Sequence, residues 1–145
     1  MEGTIRPMEA PDVDAGSRLM SQLTGQEVGI DEMQDRLDWV NRSPIDWLFV
    51  VEVEEQVRGL MGFRLRERIE RAGRYGEVSA LVVDAGGRRH GIGRALLAYA
   101  ERLAHRHGCM GTWLVSGFKR AEEAHRLHAG LGYETTGDRF VKLFK

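Results

Sequence analysis

The sequence predicts a mixed α/β fold, a central and mostly antiparallel sheet flanked by about four helices. Three runs rich in β-formers, residues 47–53, 57–69 and 75–83, follow one another across short polar turns, which reads as an antiparallel meander. A strand–loop–helix–strand order then occupies residues 75–115, and such a crossover adds a parallel strand to an antiparallel sheet. The 145 residues, 42% apolar and 30% charged, suffice for one domain whose core needs neither disulfides nor metals.

Thr4-Ile5-Arg6 reads as a short first strand. Pro11, followed by Asp12 and Asp14, suits a helix start, where the fixed proline φ and negative charges match the helix dipole. Val13, Leu19, Met20 and Leu23 are its expected buried stripe, interrupted by Gly16. Asp31 and Gln34 resemble a capping box, with Met33, Leu37 and Val40 following at helical spacing. In the second strand of the meander's long hairpin, Met61, Phe63 and Leu65 alternate with Gly62, Arg64 and Arg66.

The pattern turns helical over residues 91–107, with Ile92, Leu96, Tyr99 and Leu103 on one face and Gly108 as the stop. Residues 110–115 form the next expected strand. Residues 121–131 form a further helix, with Ala124, Leu127 and Leu131 inward. Residues 133–144 divide at Gly137-Asp138 into an expected hairpin. No internal repeat or linker interrupts the chain, so residues 1–145 are read as a single domain.

A net charge of −1 gives no electrostatic argument for nucleic acid or an anionic membrane as partner. Trp39, Trp47 and Trp113 are therefore expected in the core or in a pocket wall rather than as base-stacking platforms. Cys109 is the only cysteine and cannot pair within the chain. Residues 1–7 lack the apolar core of a signal peptide, and no apolar run is long enough to span a bilayer, so a cytoplasmic location is expected. His125 and His128 lie three apart on a predicted helix, but no third ligand accompanies them at convincing spacing, and no metal is expected.

The segment richest in chemistry is Arg88-Arg89-His90-Gly91-Ile92-Gly93-Arg94, which joins a buried strand to a long helix. A helix N-terminus carries unpaired N–H groups and partial positive charge, and so can hold phosphate; the alternative is merely a tight turn. Glycine at 91 and 93 lets the backbone approach an anion, and three arginines add charge at the same point. The dinucleotide fingerprint is excluded because Leu96 occupies its third glycine position. A Walker loop is excluded because the chain has no Gly-Lys-Ser/Thr.

Arg88-x-x-Gly91-x-Gly93 resembles the acetyl-CoA pyrophosphate loop of the GNAT (GCN5-related N-acetyltransferase) superfamily. Leu81-Val82-Val83-Asp84 before it and Arg94-Ala95-Leu96-Leu97 after it extend the likeness. Residues 124–133, Ala-His-Arg-Leu-His-Ala-Gly-Leu-Gly-Tyr, are similar to that family's second motif, Ala-x-x-Phe-Tyr-x-x-x-Gly-Phe/Tyr. With the order of elements, the resemblance covers essentially the whole chain.

The resemblance implies a sheet splayed at the donor site and an acetyl-CoA-dependent N-acetyltransferase that uses direct attack by a bound primary amine. The backbone of Leu81, Val82 and Val83 would pair with the pantetheine arm, and an N–H near Leu81 would polarise the acetyl carbonyl. The pyrophosphate would fall to Arg88, Arg89, His90, Gly91, Ile92, Gly93 and Arg94. Glu77 stands where many members carry a catalytic glutamate, so it is the candidate general base. The alternative for Glu77 is a strand glutamate that faces solvent or pairs with arginine. The chain departs from the family at His128, which replaces a tyrosine that often protonates the leaving thiolate. His128 is the candidate acid, since histidine exchanges protons near neutral pH; the alternative is a packed histidine without a proton role.

Three functional readings stay open at this point: a small-molecule amine acetyltransferase, a protein lysine or N-terminal acetyltransferase, and an idle CoA-binding sensor. The resemblance implies that the acceptor, a small molecule or a peptide amine, meets residues 19–46, whose acidic lean mildly suits a cation; the alternative is a solvated helix face. The oligomeric state stays open, with a homodimer one option because members of the resembled family are often dimers.

Overall fold

A computed structural model of the protein describes residues 3–87, 91–114, 130–134, 136, 137 and 139–144. The elements run β1 (Thr4–Pro7), α1 (Val13–Thr24), α2 (Ile30–Arg42), β2 (Asp46–Val53), β3 (Gln56–Glu67), β4 (Arg74–Val83), α3 (Ile92–Arg106) and β5 (Gly111–Leu114). The five strands lie in sequence order in one sheet. β1 to β4 are mutually antiparallel, and β5 joins β4 in parallel through the α3 crossover. The mixed α/β sheet expected from the sequence is therefore present, with three helices among the described residues. The fourth expected helix falls almost wholly outside them. The Gly137-Asp138 hairpin falls partly outside them, and its described residues carry no strand.

Each face of the sheet has its own core. α3 covers Phe49, Val51, Met61, Phe63 and Val78 with Ile92, Leu96, Leu97, Ala100 and Leu103. α1 and α2 cover Val50, Leu60 and Val82 with Val13, Leu19, Met33 and Leu37. Burying a large aliphatic or aromatic side chain contributes roughly 1.5–3 kcal/mol, so these two layers hold the helices to the two faces of the sheet.

Local details depart from the sequence expectation. Gly29, not Asp31, occupies the N-cap of α2 with no side-chain cap, so the capping box does not form; Asp31 and Glu32 instead sit in the first turn, where the helix dipole favours them. Leu23 is exposed, whereas Gly16 is buried against Met8 and Met33, because the two helices approach closely there. Glu54 and Glu55 both take positive φ in the two-residue β2–β3 turn, the backbone twist that tight hairpins require.

Two bulges shape the strands that lead to the loop after β4. Opposite β2, the extra residue on β3 is Arg58; opposite β3, the extra residue on β4 is Ser79, since Gly62 pairs Ala80 while Phe63 pairs Val78. A bulge resets the alternation of a strand. Val78, Leu81 and Val83 consequently pack under α3, and Ala80 and Val82 face α1 and α2.

Candidate active site

The helix start predicted from the glycines is α3. Gly91 is its N-cap in the left-handed region (φ 79°), a conformation that glycine adopts without Cβ strain. A Cβ built there meets nothing within 4 Å, so the approach to the helix end is open among the described residues. No side chain caps the helix and its first turn holds no acidic residue. These amides present donors and partial positive charge in the manner of an anion site. Ile92 is buried in the α3 core, so only its backbone faces the loop, while Gly93 and Arg94 occupy the first turn. Arg88, Arg89 and His90 lie outside the described residues.

The loop is anchored at its beginning by Asp84. Its carboxylate accepts hydrogen bonds from Gln22 Nε2 (3.1 Å) and Arg58 Nη1 (2.9 Å), and its N–H donates to the Arg58 carbonyl (2.8 Å). The Ala85 N–H donates to Gln22 Oε1 (3.2 Å). The Gln22 hydrogen bond and then the Arg58 guanidinium hold the Asp84 carboxyl below its usual range, against the opposing pull of burial. The β3 bulge thus has a use: it presents Arg58 to the residue at which the loop leaves the sheet.

β4 carries the remaining predicted groups. Leu81, Val82 and Val83 form its last turn-ward stretch and pair with Met61, Leu60 and Gly59 of β3. On the other edge the recorded parallel ladder to β5 runs from Tyr75 to Val78 only, so the sheet edge beside Ala80 and Leu81 lies past its end among the described residues. An extended ligand arm fits beside such an edge by adding as a strand.

Glu77 lies in a row of cross-strand neighbours, Asp46, Arg64, Glu77 and Trp113, which share one face because directly paired residues do. It is half-buried, and its Oε1 accepts a hydrogen bond from Trp113 Nε1 at 2.9 Å. Asp46 is buried, accepts from Ser43 Oγ (2.7 Å), and stands 3.8 Å from Arg64 Nε. In the adjacent row, Tyr75 stacks on Trp113 with ring centroids 5.0 Å apart. The Arg68 guanidinium lies 4.7 Å from the Tyr75 centroid, and its Nη2 donates to Tyr75 Oη (3.0 Å). The Trp113 partner of Glu77 was not legible in the sequence; only the parallel register brings residues 36 apart side by side.

The predicted proton donor, His128, lies outside the described residues. Tyr133, from the same motif, is half-buried with its hydroxyl 2.9 Å from Thr112 Oγ1 on β5. Burial pushes its pKa above the usual value, opposed by the Thr112 hydrogen bond. Burial likewise pushes the Cys109 thiol up, which disfavours the thiolate a nucleophilic cysteine needs. Among the described residues no group of three or more His, Cys, Asp or Glu side chains is arranged to hold a metal, and no helix is long and apolar enough to cross a membrane.

The sequence matches the Acetyltransferase (GNAT) family over residues 15–133. It is 34% identical over 138 residues to the aminoalkylphosphonate N-acetyltransferase of Salmonella typhimurium, a match covering 95% of this chain and 89% of the relative. Among solved structures, a transcriptional regulator from Bacillus halodurans superimposes with a TM-score of 0.89 at 16% identity, covering 99% of this chain and 100% of that one. An aminoglycoside N-acetyltransferase in complex with CoA superimposes with a TM-score of 0.83 at 17% identity, covering 99% and 95%. The two structures share the fold; the family match and the Salmonella relative add the chemistry. Together they define an acetyl-CoA-dependent N-acyltransferase. The chain belongs to the GNAT acetyltransferase family.

Proposed function

We propose that the protein transfers the acetyl group of acetyl-CoA to a small primary amine by direct attack in a ternary complex. The observation that carries this reading is Glu77: a carboxylate fixed by the Trp113 indole, four residues before Leu81 on the strand that runs into the α3 loop. The backbone from Gly91 to Arg94 holds the pyrophosphate, with Arg88, Arg89 and His90 completing the loop, and the β4 edge at Leu81, Val82 and Val83 receives the pantetheine arm. Acetyl-CoA supplies the acyl group as an activated thioester.

Glu77 takes the proton that an ammonium must lose before its nitrogen can attack. The Leu81 N–H is the candidate donor to the carbonyl oxygen as it gains charge. His128 is the candidate for returning a proton to the thiolate. The raised Cys109 pKa supports a route without an acyl-cysteine. The aminoalkylphosphonate acted on by the Salmonella relative favours a small-molecule acceptor over a protein one for this chain. A location in the cytoplasm and assembly as a homodimer complete the reading.

Two measurements test it. Calorimetric titration with acetyl-CoA should give saturable binding that is lost in a folded Gly91→Val/Gly93→Val variant. Initial rates with varied donor and amine should give intersecting reciprocal plots, whereas parallel plots would reveal a covalent enzyme intermediate and sink the direct-attack mechanism. Donor binding without turnover on any amine would make the protein a CoA sensor instead.

A further inference from the structure

We propose that Arg68 sets acceptor specificity by binding an oxyanion carried on the same short chain as the reactive amine. The proposal rests on the acetyltransfer reading and on the geometry around one indole ring. Trp113 donates its N–H to Glu77, and the Arg68 guanidinium lies 5.9 Å from the ring centroid of the same side chain. Tyr75, stacked on Trp113, also holds Arg68, whose guanidinium lies 4.7 Å from the Tyr75 ring centroid and donates to the Tyr75 hydroxyl.

Arg68 is held on two aromatic rings rather than by a carboxylate. Arg6, Arg18, Arg58, Arg64 and Arg74 each have a carboxylate within ion-pair distance; Arg68 has none among the described residues. Its Nε is buried and without a hydrogen-bond partner. A guanidinium held on two aromatic rings, with no carboxylate among the described residues to neutralise it, is a preorganised partner for a carboxylate or a phosphonate. The rings also lower the entropy lost when it binds, because the side chain is already held.

Position decides what such an anion would be attached to. Tyr75 and Glu77 are two residues apart on one face of β4, about 7 Å along the strand. Glu77 and Arg68 both touch the Trp113 side chain, so a short aminoalkyl chain lying along it would set its ammonium against Glu77 and its oxyanion against Arg68. The acceptor is a zwitterion rather than a plain alkylamine, and Glu77 and Arg68 read its two ends.

The test compares the wild-type enzyme with Arg68→Met and Arg68→Lys, using 2-aminoethylphosphonate, β-alanine and propylamine as acceptors at saturating acetyl-CoA. For 2-aminoethylphosphonate, Arg68→Met should raise KM about 10- to 100-fold with kcat little changed. Propylamine should show no change in kcat/KM, and Arg68→Lys should recover part of the loss. A similar rise for β-alanine extends the oxyanion class to carboxylates, and none confines it to phosphonates. Equal losses on all three acceptors, or no loss on any, would overturn the proposal.

Should no amine be acetylated, the acetyltransfer reading fails separately, and the anion site is judged by titration with methylphosphonate. Binding to wild-type that disappears in Arg68→Met upholds the site. Equal binding to both, or binding to neither, overturns it.

Discussion

Replacing Glu77 by glutamine separates its chemical role from its structural one. Glutamine keeps a side-chain oxygen that can accept the 2.9 Å hydrogen bond from Trp113 Nε1, so the fold and the indole should stay in place. What disappears is the ability to take a proton. A positioned general base contributes about 10²- to 10⁴-fold, so kcat should fall by that factor, roughly 3–5 kcal/mol in barrier. Glu77→Ala removes the base and also leaves the half-buried Trp113 N–H without its acceptor, which should add about 1–3 kcal/mol of destabilisation. The assay is CoA thiol release against a primary amine from pH 6 to pH 10, with melting curves run alongside. Alkylamines shed their own proton near a pKa of about 10, as lysine does, so the defect of Glu77→Gln should shrink toward the alkaline end. A Glu77→Gln enzyme with the wild-type rate across neutral pH would refute base catalysis by this residue.

Two further predictions concern stability. Gly76 faces the α3 core, and a Cβ there would stand 2.6 Å from Phe63 Cζ and 3.2 Å from Ala104 Cβ; because the Phe63 ring is fully buried it cannot swing away, so Gly76→Ala should cost about 1–3 kcal/mol and lower Tm by roughly 3–10 °C. An unchanged Tm would mean the strand shifts freely at that point. Asp12 accepts from Arg6 Nη1 (2.8 Å) and Nη2 (2.9 Å), and the Arg6 hydrogen bonds hold its carboxyl below the ordinary 3.8. A depressed carboxyl pKa contributes stability that is complete above the unfolded value and is lost as pH falls through the folded one. Asp12→Asn should therefore destabilise by about 1.5–3 kcal/mol at pH 7, with the gap to wild-type closing below pH 3.8 in acid-unfolding curves. A gap that stays constant with pH would rule out the ion pair as its source.

The strands and α3 were legible because their signals are local. Residues 47–53 and 75–83 are dense in β-formers, and Ile92, Leu96 and Leu103 repeat at the helical period that buries them. Gly91 was legible for a similar reason, since few roles other than a turn or a helix start call for glycine between a strand and an amphipathic run. The α2 cap was misread because Asp31 and Gln34 fit the capping spacing, yet Gly29 opens the helix two residues earlier with an extended backbone of its own. The polar constellation was not legible. Gln22, Arg58 and Asp84 come from three elements, as do Arg68, Tyr75 and Trp113, and only the tertiary register brings each set together.

The Ser79 bulge shows why a strand pattern alone could not place Glu77. Under strict alternation Glu77, Ser79, Leu81 and Val83 share one face, so burying Leu81 and Val83 under α3 would drag the carboxylate beneath the same helix. The chain escapes this by inserting one residue. Val78, Leu81 and Val83 meet α3, while Glu77 stays on the opposite face with Arg64 and Trp113. Room for the insertion comes from across the ladder: a Cβ on Gly62 would lie 2.5 Å from Ser79 Oγ, so glycine at that position accommodates the extra residue. The hydrophobic demand of the α3 core and the need for a reachable carboxylate conflict within ten residues of one strand. A one-residue irregularity resolves that conflict, and so the bulge sets the position on which the role proposed for Glu77 depends.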